Sequence, residues 1–323
     1  MASKWFFNYV SLEACSLHRY WWRWFIGHGL PLHQAKLKVS GSDITQSAKT
    51  RELEEAGIEI SYHQEGELIK PGISLVVVSS AVQKDNLELE NAKNIGLSIV
   101  SRQDFLKALC ACFPKVIAVG GSHGKTTVTS MCAWVFKQNQ EPASWMIGGD
   151  LNSKDFPAAH FSPDGPLIIE ADESDGTIAA LSPSTGILVN TDDDHAWSVG
   201  GVNQLFDNFR KFAKQSQKVY ASQEDSCLAV LQGIENVEFM PAKADLKLIQ
   251  KGEFMRLNAS LAIAACANEG IKPEKATEAL EEFCGVQRRS QVHFETAFLT
   301  LFEDYAHHPK ELKALNSALE EQY

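Results

Sequence analysis

The stretch KVIAVGGSHGKTTVTSMCAWVFKQ, residues 115–138, constrains this chain more than any other. An apolar, β-branched run breaks on two glycines and resumes as a helical pattern at Lys125. A strand that turns directly into a helix needs its next strand parallel to it, because the helix carries the chain back across the sheet. The same alternation runs through most of the sequence. Strands are expected at 37–43, 73–82, 115–120, 166–172, 185–191 and 218–222, with helical stretches between them. The class is therefore α/β with a mostly parallel sheet.

Pro114 closes a first unit, 1–113, and a second runs over 114–285, ending in helices near 256–269 and 273–284. A third spans 286–323, with QRRSQVHFE (287–295) and the strand FLTLFEDYA, and the sequence stops at 323 inside the helix PKELKALNSALEEQ. One strand and one helix cannot enclose an α/β core, so 286–323 reads as the start of a truncated domain. A net charge of −11 opposes nonspecific binding to nucleic acid, whose phosphates attract basic surfaces. A phosphorylated ligand then needs a local site of backbone N–H groups, a lysine or a metal. The seven cysteines (15, 110, 112, 132, 227, 266, 284) show neither C-x-x-C pairs nor zinc spacing, and free thiols of a cytoplasmic protein are expected. No segment approaches the roughly 20 apolar residues of a membrane span.

The glycine turn carries chemistry of its own. Gly121, Ser122, His123, Gly124, Lys125, Thr126 and Thr127 lie between strand and helix, where backbone N–H groups and the positive helix end face an anion. Lys125 suits β- and γ-phosphates, and the Thr126 hydroxyl suits Mg²⁺. Val119 occupies the first glycine position of the common G-x-x-x-x-G-K-[ST] pattern, so G-S-H-G-K-T-T is a shorter variant.

Two acidic clusters follow apolar strands. In IIEADESDG (168–176), four carboxylates would repel one another unless cations or donors neutralise them, so the segment is a magnesium site using Glu170 or a solvated acidic loop. In ILVNTDDDHAW (187–197), Asn190, Asp192, Asp193, Asp194 and His195 repeat the arrangement, and a histidine there can be a metal ligand, a general base or a surface group. In doubly wound sheets ligands bind outside the carboxyl ends of strands. Three strand ends carrying a phosphate loop, acids, and acids with a histidine make one consistent nucleotide–metal site.

GSHGKTT, EADESD, VNTDDDH and EDYAHHPKE, in this order and at these separations, resemble the Mur ligases of peptidoglycan synthesis. The likeness runs from about Lys36 to Tyr323. It implies an N-terminal Rossmann-like domain for a UDP moiety, a central P-loop ATPase domain, and a C-terminal Rossmann-like domain for the incoming amino acid. It also implies cytoplasmic ATP-dependent amide formation through an acyl phosphate, with ATP and Mg²⁺ and with small-molecule substrates rather than nucleic acid or membrane. By resemblance, Lys125 binds the terminal phosphates, Thr126, Glu170 and His195 hold magnesium, and Asn190 and Asp194 support that site. Asp304 matches the acid that contacts the ribose, with His307 and His308 beside it, although His-His-Pro can also simply start a helix. Arg288 and Arg289 match paired arginines at the domain junction, where one would face the phosphates, Arg289 as a catalytic residue and Arg288 as part of the nucleotide site; such a pair can also be a solvated face. EADESD and DYAHHP favour the branch joining L-alanine to UDP-N-acetylmuramate. The branch that attaches a recycled tripeptide would show Tyr in place of Ser174 and Phe in place of Tyr305.

Two departures stand out. In KGEFMRLNAS (251–260), Asn258 keeps its place near the adenine, but Phe254 and Met255 replace a His-Asn pair. The other is SLHRYWWRWFIGHGL (16–30), upstream of Asp43, where a UDP-binding unit should have a glycine turn about 20 residues before its acid. Tryptophan has the single codon TGG, so a reading displaced by one base gives glycine at Trp21, Trp22 and Trp24. Displaced in this way, the run is compatible with the family's HFIGIGGxG. Residues up to about Leu30–Leu32 therefore read as translated out of frame.

Overall fold

In the computed structural model, which describes residues 9–13, 38–79, 82–153, 155–194 and 196–323, the apolar runs become strands of two main sheets. The chain divides into two units, residues 1–113 with 159–161, and residues 114–158 with 162–323.

The first unit has five strands, β1 (Tyr9–Glu13), β2 (Val39–Ser42), β3 (Glu59–Ser61), β4 (Ile73–Val78) and β5 (Ile99–Ser101), in the order β3-β2-β1-β4-β5. Its helices are α1 (Ala48–Glu55), α2 (Leu87–Asn94) and α3 (Arg102–Cys110). Side chains start all three: Ser47, Asn86 and Ser101 accept hydrogen bonds from first-turn N–H groups. β2 with β3 and β4 with β5 are parallel, but β1 runs antiparallel to both its neighbours. A doubly wound domain would put a parallel strand and its glycine turn in this central slot. Here residues 9–13, upstream of the tryptophan run, fill it in the opposite direction, and their pairing satisfies edges that β2 and β4 would otherwise leave open. The tryptophan run itself lies outside the described residues. The short strand β8 (Ala159–His160) counts with this unit.

In the second unit β6 (Val116–Gly120), β7 (Ser144–Met146), β9 (Leu167–Glu170), β10 (Thr185–Leu188), β11 (Lys218–Ser222) and β12 (Val237–Met240) stand in the order β12-β11-β10-β6-β9-β7. Every described pairing among them is parallel. From β6 the chain moves to one side for β7 and β9, then crosses to the other side for β10. The crevice between the ends of β6 and β10 is thus the topological switch point, where ligands of such sheets bind.

Helices α4 (Lys125–Gln138), α7 (Glu253–Asn268) and α8 (Pro273–Glu281) share one apolar cluster with the strands, built on Val128, Met131, Val135, Leu261 and Ala265. The Trp134 indole donates to the Ala279 carbonyl at 2.8 Å, which satisfies its polar edge. Helix α5 (Val202–Gln215) inserts Leu205, Phe209 and Phe212, all fully buried. A Cβ at Gly186 would stand 3.0 Å from the Phe212 ring, so glycine in β10 makes room for it. Helix α6 (Asp225–Leu231) follows β11. The last segment forms the antiparallel hairpin β13 (Gln291–Glu295) and β14 (Thr300–Glu303), then α9 (Pro309–Gln322). Among the described residues no helix is long and apolar enough to cross a membrane.

Phe209→Ala should leave a cavity under α5 and lower unfolding stability by about 3–5 kcal/mol, read from the denaturant midpoint at constant m-value. A loss below about 1 kcal/mol would contradict the packing described.

Candidate functional site

The loop after β6 is shaped by glycines and pinned by one side chain. Gly121 has φ +134° and Gly124 φ +79°, conformations that residues with a Cβ rarely adopt. At Gly121 an added Cβ would lie 3.1 Å from the Asn190 backbone. Asn190 follows β10 and reaches across the crevice. Its Oδ1 accepts from the Ser122 N–H at 2.8 Å and the His123 N–H at 3.0 Å, and its Nδ2 donates to the His123 carbonyl at 3.1 Å. The Ser122 hydroxyl donates to the Asp192 carbonyl at 2.8 Å. Thus the amides of Ser122 and His123 serve the loop's own structure. Those of Lys125, Thr126 and Thr127 belong to the first turn of α4, which has no intrahelical acceptors for them; the helical ladder begins with Val128 N–H to Gly124 O. These amides and the helix dipole face an anion placed at the loop.

Lys125 is folded over the loop. Its ammonium donates to the Gly121 carbonyl at 2.7 Å, the Ser122 carbonyl at 3.5 Å and Glu173 Oε2 at 2.6 Å. Burial works against the charge, but Glu173, Asp172 and Glu170 outweigh it and raise the lysine's pKa, so it stays protonated. Glu170, at the end of β9, takes the Gly148 N–H on Oε1 at 2.6 Å and the Thr126 hydroxyl on Oε2 at 3.2 Å. A Cβ at Gly148 would stand 2.9 Å from both carboxylate oxygens, so only glycine permits this approach. Burial pushes the Glu170 carboxyl up, against the Gly148 N–H, the Lys125 charge and the Thr126 hydroxyl. Thr126 and Glu170 thus present adjacent hard oxygens, a donor set that suits magnesium. His195 lies outside the described residues.

The third strand end meets α9. His123 Nδ1 stands 3.1 Å from Glu311 Oε1, and its Nε2 is 2.8 Å from Asp194 Oδ2, an ion-pair contact without hydrogen-bond geometry. Burial disfavours the charged ring, yet the Glu311 hydrogen bond and the Glu311, Asp194 and Asp192 charges raise its pKa. The Glu311 carboxyl would be raised by burial, but His123 and the N–H groups of His307 and His308 hold it down at about 2. His308 caps α9, its Nδ1 accepting from the Lys310 N–H at 3.3 Å. That bond leaves the ring proton on Nε2, facing Asp194 Oδ1 at 3.4 Å. His123, Asp194 and His308 bring possible metal-ligand atoms within 4.8 Å of one another, with the protonated His308 Nε2 turned to Asp194. Lys310 pairs with Asp192.

A cavity of about 200 Å³ opens beside the loop. His123, Gly124, Thr127, Asn258, Arg289 and Asp304 line it, as do Phe254, Met255, Leu257 and Leu315. Met255 is buried and Phe254 partly so, which gives this end an apolar wall where the resemblance implied a polar pair. Asp304 is fixed by Ser290 and by the Ala306 N–H at 2.6 Å. Arg289 lies 5.2 Å over the Tyr305 ring, whereas the exposed Arg288 pairs with Glu303 at 3.2 Å and does not line the cavity. His307 is exposed, 3.0 Å from the Tyr305 carbonyl. Glu173, Gly148 and Glu311 carry no individual signal in the sequence, although the first and last lie within EADESD and EDYAHHPKE.

A family model described as the Mur ligase family, catalytic domain, matches residues 27–114. The UDP-N-acetylmuramate–L-alanine ligase of Syntrophomonas wolfei is 32% identical over 319 residues, covering 88% of this chain and 68% of the relative. The enzyme of the same name from Pelotomaculum thermopropionicum is 33% identical over 313 residues, covering 86% and 67%. Among solved structures, the UDP-N-acetylmuramate–alanine ligase of Thermotoga maritima matches with a TM-score of 0.75 at 26% identity, covering 87% of this chain and 71% of that one. A murein peptide ligase from Psychrobacter arcticus shares the fold, with a TM-score of 0.70 at 24% identity over 87% and 71%.

The charge pairs between α9 and the loop set a pH dependence. The Glu311 pKa is depressed in the folded chain, so its contribution is present above the unfolded carboxyl value of about 4.3 and is lost as pH falls towards about 2. The raised His123 pKa acts in the opposite sense, its contribution fading as pH rises through its folded value. Glu311→Gln should therefore shrink the loss of denaturant midpoint between pH 6 and pH 2. An unchanged loss would contradict the assignment.

Proposed function

This chain belongs to the Mur ligase family, and on that premise we propose that it is an ATP-dependent ligase joining L-alanine to UDP-N-acetylmuramate. The observation that carries the reading is the constellation at three neighbouring strand ends: Lys125 and Thr126 after β6, Glu170 on β9, and Asn190 after β10. The L-alanine acceptor rests on the names of the relatives and on Ser174 and Tyr305. Residues 1–113 would take the UDP moiety, 114–285 the ATP, and 286–323 would open the amino-acid-binding domain. The reading places the reaction in the cytoplasm.

In the proposed reaction a muramoyl carboxylate oxygen attacks the γ-phosphorus of ATP, and ADP leaves. The amino group of L-alanine then attacks the acyl carbon, and phosphate departs from the tetrahedral intermediate. Such chemistry depends on alignment and on neutralising charge. The first-turn amides of α4 would hold the β-phosphate, and the Lys125 ammonium the terminal phosphates. Thr126 and Glu170, with His195 by resemblance, would hold magnesium, which when bound supplies positive charge against the phosphate oxygens. Asp304 would take the ribose and Asn258 the base end, where Phe254 offers a flat apolar face for the purine. Arg289 would turn from Tyr305 towards the phosphates.

A second reading, a nucleotide-binding chain without ligase activity, is favoured by the antiparallel β1 in the slot where a UDP-binding glycine turn belongs. Phosphate release from Mg-ATP, with and without UDP-N-acetylmuramate and L-alanine, separates the two. The first reading expects release that needs both substrates and falls at least 100-fold in Lys125→Met. Mg-ATP binding without an amide product would overturn it in favour of the second.

A further inference from the structure

The proposed mechanism gives Lys125 a task, yet the structure shows its ammonium already committed. Three acceptors match its three N–H donors: the carbonyls of Gly121 and Ser122 and the carboxylate of Glu173. Glu173 is the strongest of them and the least replaceable. It is 1% exposed, three residues beyond Glu170 in the acidic segment, and meets the ammonium at 2.6 Å. Glu173 also sets the turn after β9, for its carbonyl accepts the Gly176 N–H at 3.3 Å. Neighbouring side chains in the segment are engaged locally: Asp172 with the Ser174 hydroxyl at 2.8 Å, and Asp175 with the Thr177 N–H at 2.9 Å. Among the four acids of the segment, the lysine's described hydrogen bond goes to Glu173.

We infer that Glu173 is a positioning residue for the phosphate-loop lysine: it holds the Lys125 ammonium against the loop, and an incoming polyphosphate must compete with it for that ammonium. This rests on the nucleotide-site reading above and deepens it. Two consequences follow from charge and geometry. A phosphate oxygen that draws Lys125 forward leaves Glu173 either sharing the ammonium or buried without its partner, so part of the attraction between lysine and phosphate is offset inside the protein. A carboxylate this close to the loop also repels a polyphosphate directly. Removing the Glu173 charge should therefore tighten nucleotide binding. It should also free the lysine from its fixed orientation and slow any turnover that needs it aligned, so that KM for ATP and kcat fall together.

A double-mutant cycle isolates the route through the lysine from the bulk charge effect. ADP and Mg-ATP binding would be measured by calorimetry on the full chain for the unsubstituted protein, Glu173→Gln, Lys125→Met and the double variant, with Glu173→Asp as the conservative control. The inference expects Glu173→Gln to bind ADP three- to tenfold more tightly. It expects this gain to shrink at least threefold in the Lys125→Met background, and Glu173→Asp to stay within twofold of the unsubstituted protein. An equal gain in both backgrounds, or none in either, would overturn it. A variant with an altered thermal midpoint is read through Glu173→Asp, whose weaker binding with the fold intact would also count against it. If the unsubstituted protein binds neither nucleotide, the nucleotide-site reading itself fails, an outcome distinct from absent coupling.

Discussion

The site depends on the hold that one asparagine, Asn190, keeps on the loop between β6 and α4. A loop with left-handed glycines at both ends has little intrinsic preference for one shape, and each of its amides needs a partner. Asn190 supplies both an acceptor and a donor, and does so from just beyond the end of the neighbouring strand. The sheet order therefore sets the loop's shape. Because β10 lies directly beside β6, its end delivers Asn190 to the loop, and the close approach excludes a side chain at Gly121. With the first loop amides engaged there, the anion-facing groups are left to the helix end.

Around that frame, charges are arranged in opposed pairs at short range. Lys125 meets Glu173, His123 lies between Asp194 and Glu311, and Lys310 pairs with Asp192. In a chain of net charge −11, the proposed nucleotide would bind where such pairs can be exchanged, not to a basic surface. The start of α9 takes part directly, since Glu311 caps its own helix and touches the phosphate loop at once. The last described segment is thereby tied to the loop between β6 and α4.

Much of this was legible in the sequence because its periodicity and chemistry coincide. Strands β6, β9 and β10 announce themselves as apolar runs that end in a glycine turn, an acid and an asparagine. The strands β7 and β12 are three and four residues long, too short to show alternation, and none of the three residues of β7, Ser144, Trp145 and Met146, is β-branched. Gly148 has no local signal, for its need arises from a carboxylate 22 residues away in the chain. Glu173 was visible only as one acid among four, since burial and the lysine's reach are tertiary facts. The sequence points to Asn190 as a supporting residue, but its action on the loop depends on strand order. The direction of β1 was not legible at all, because a five-residue strand carries no sign of its partner's direction.

The central claim, that Asn190 shapes the loop into a nucleotide site, is tested most directly by the ADP affinity of Asn190→Ala, measured by calorimetry with circular dichroism to confirm the fold. Losing the three hydrogen bonds to the loop should weaken ADP at least tenfold, equivalent to about 1.4 kcal/mol or more. An affinity within twofold of the unsubstituted protein, with the fold intact, would contradict the account.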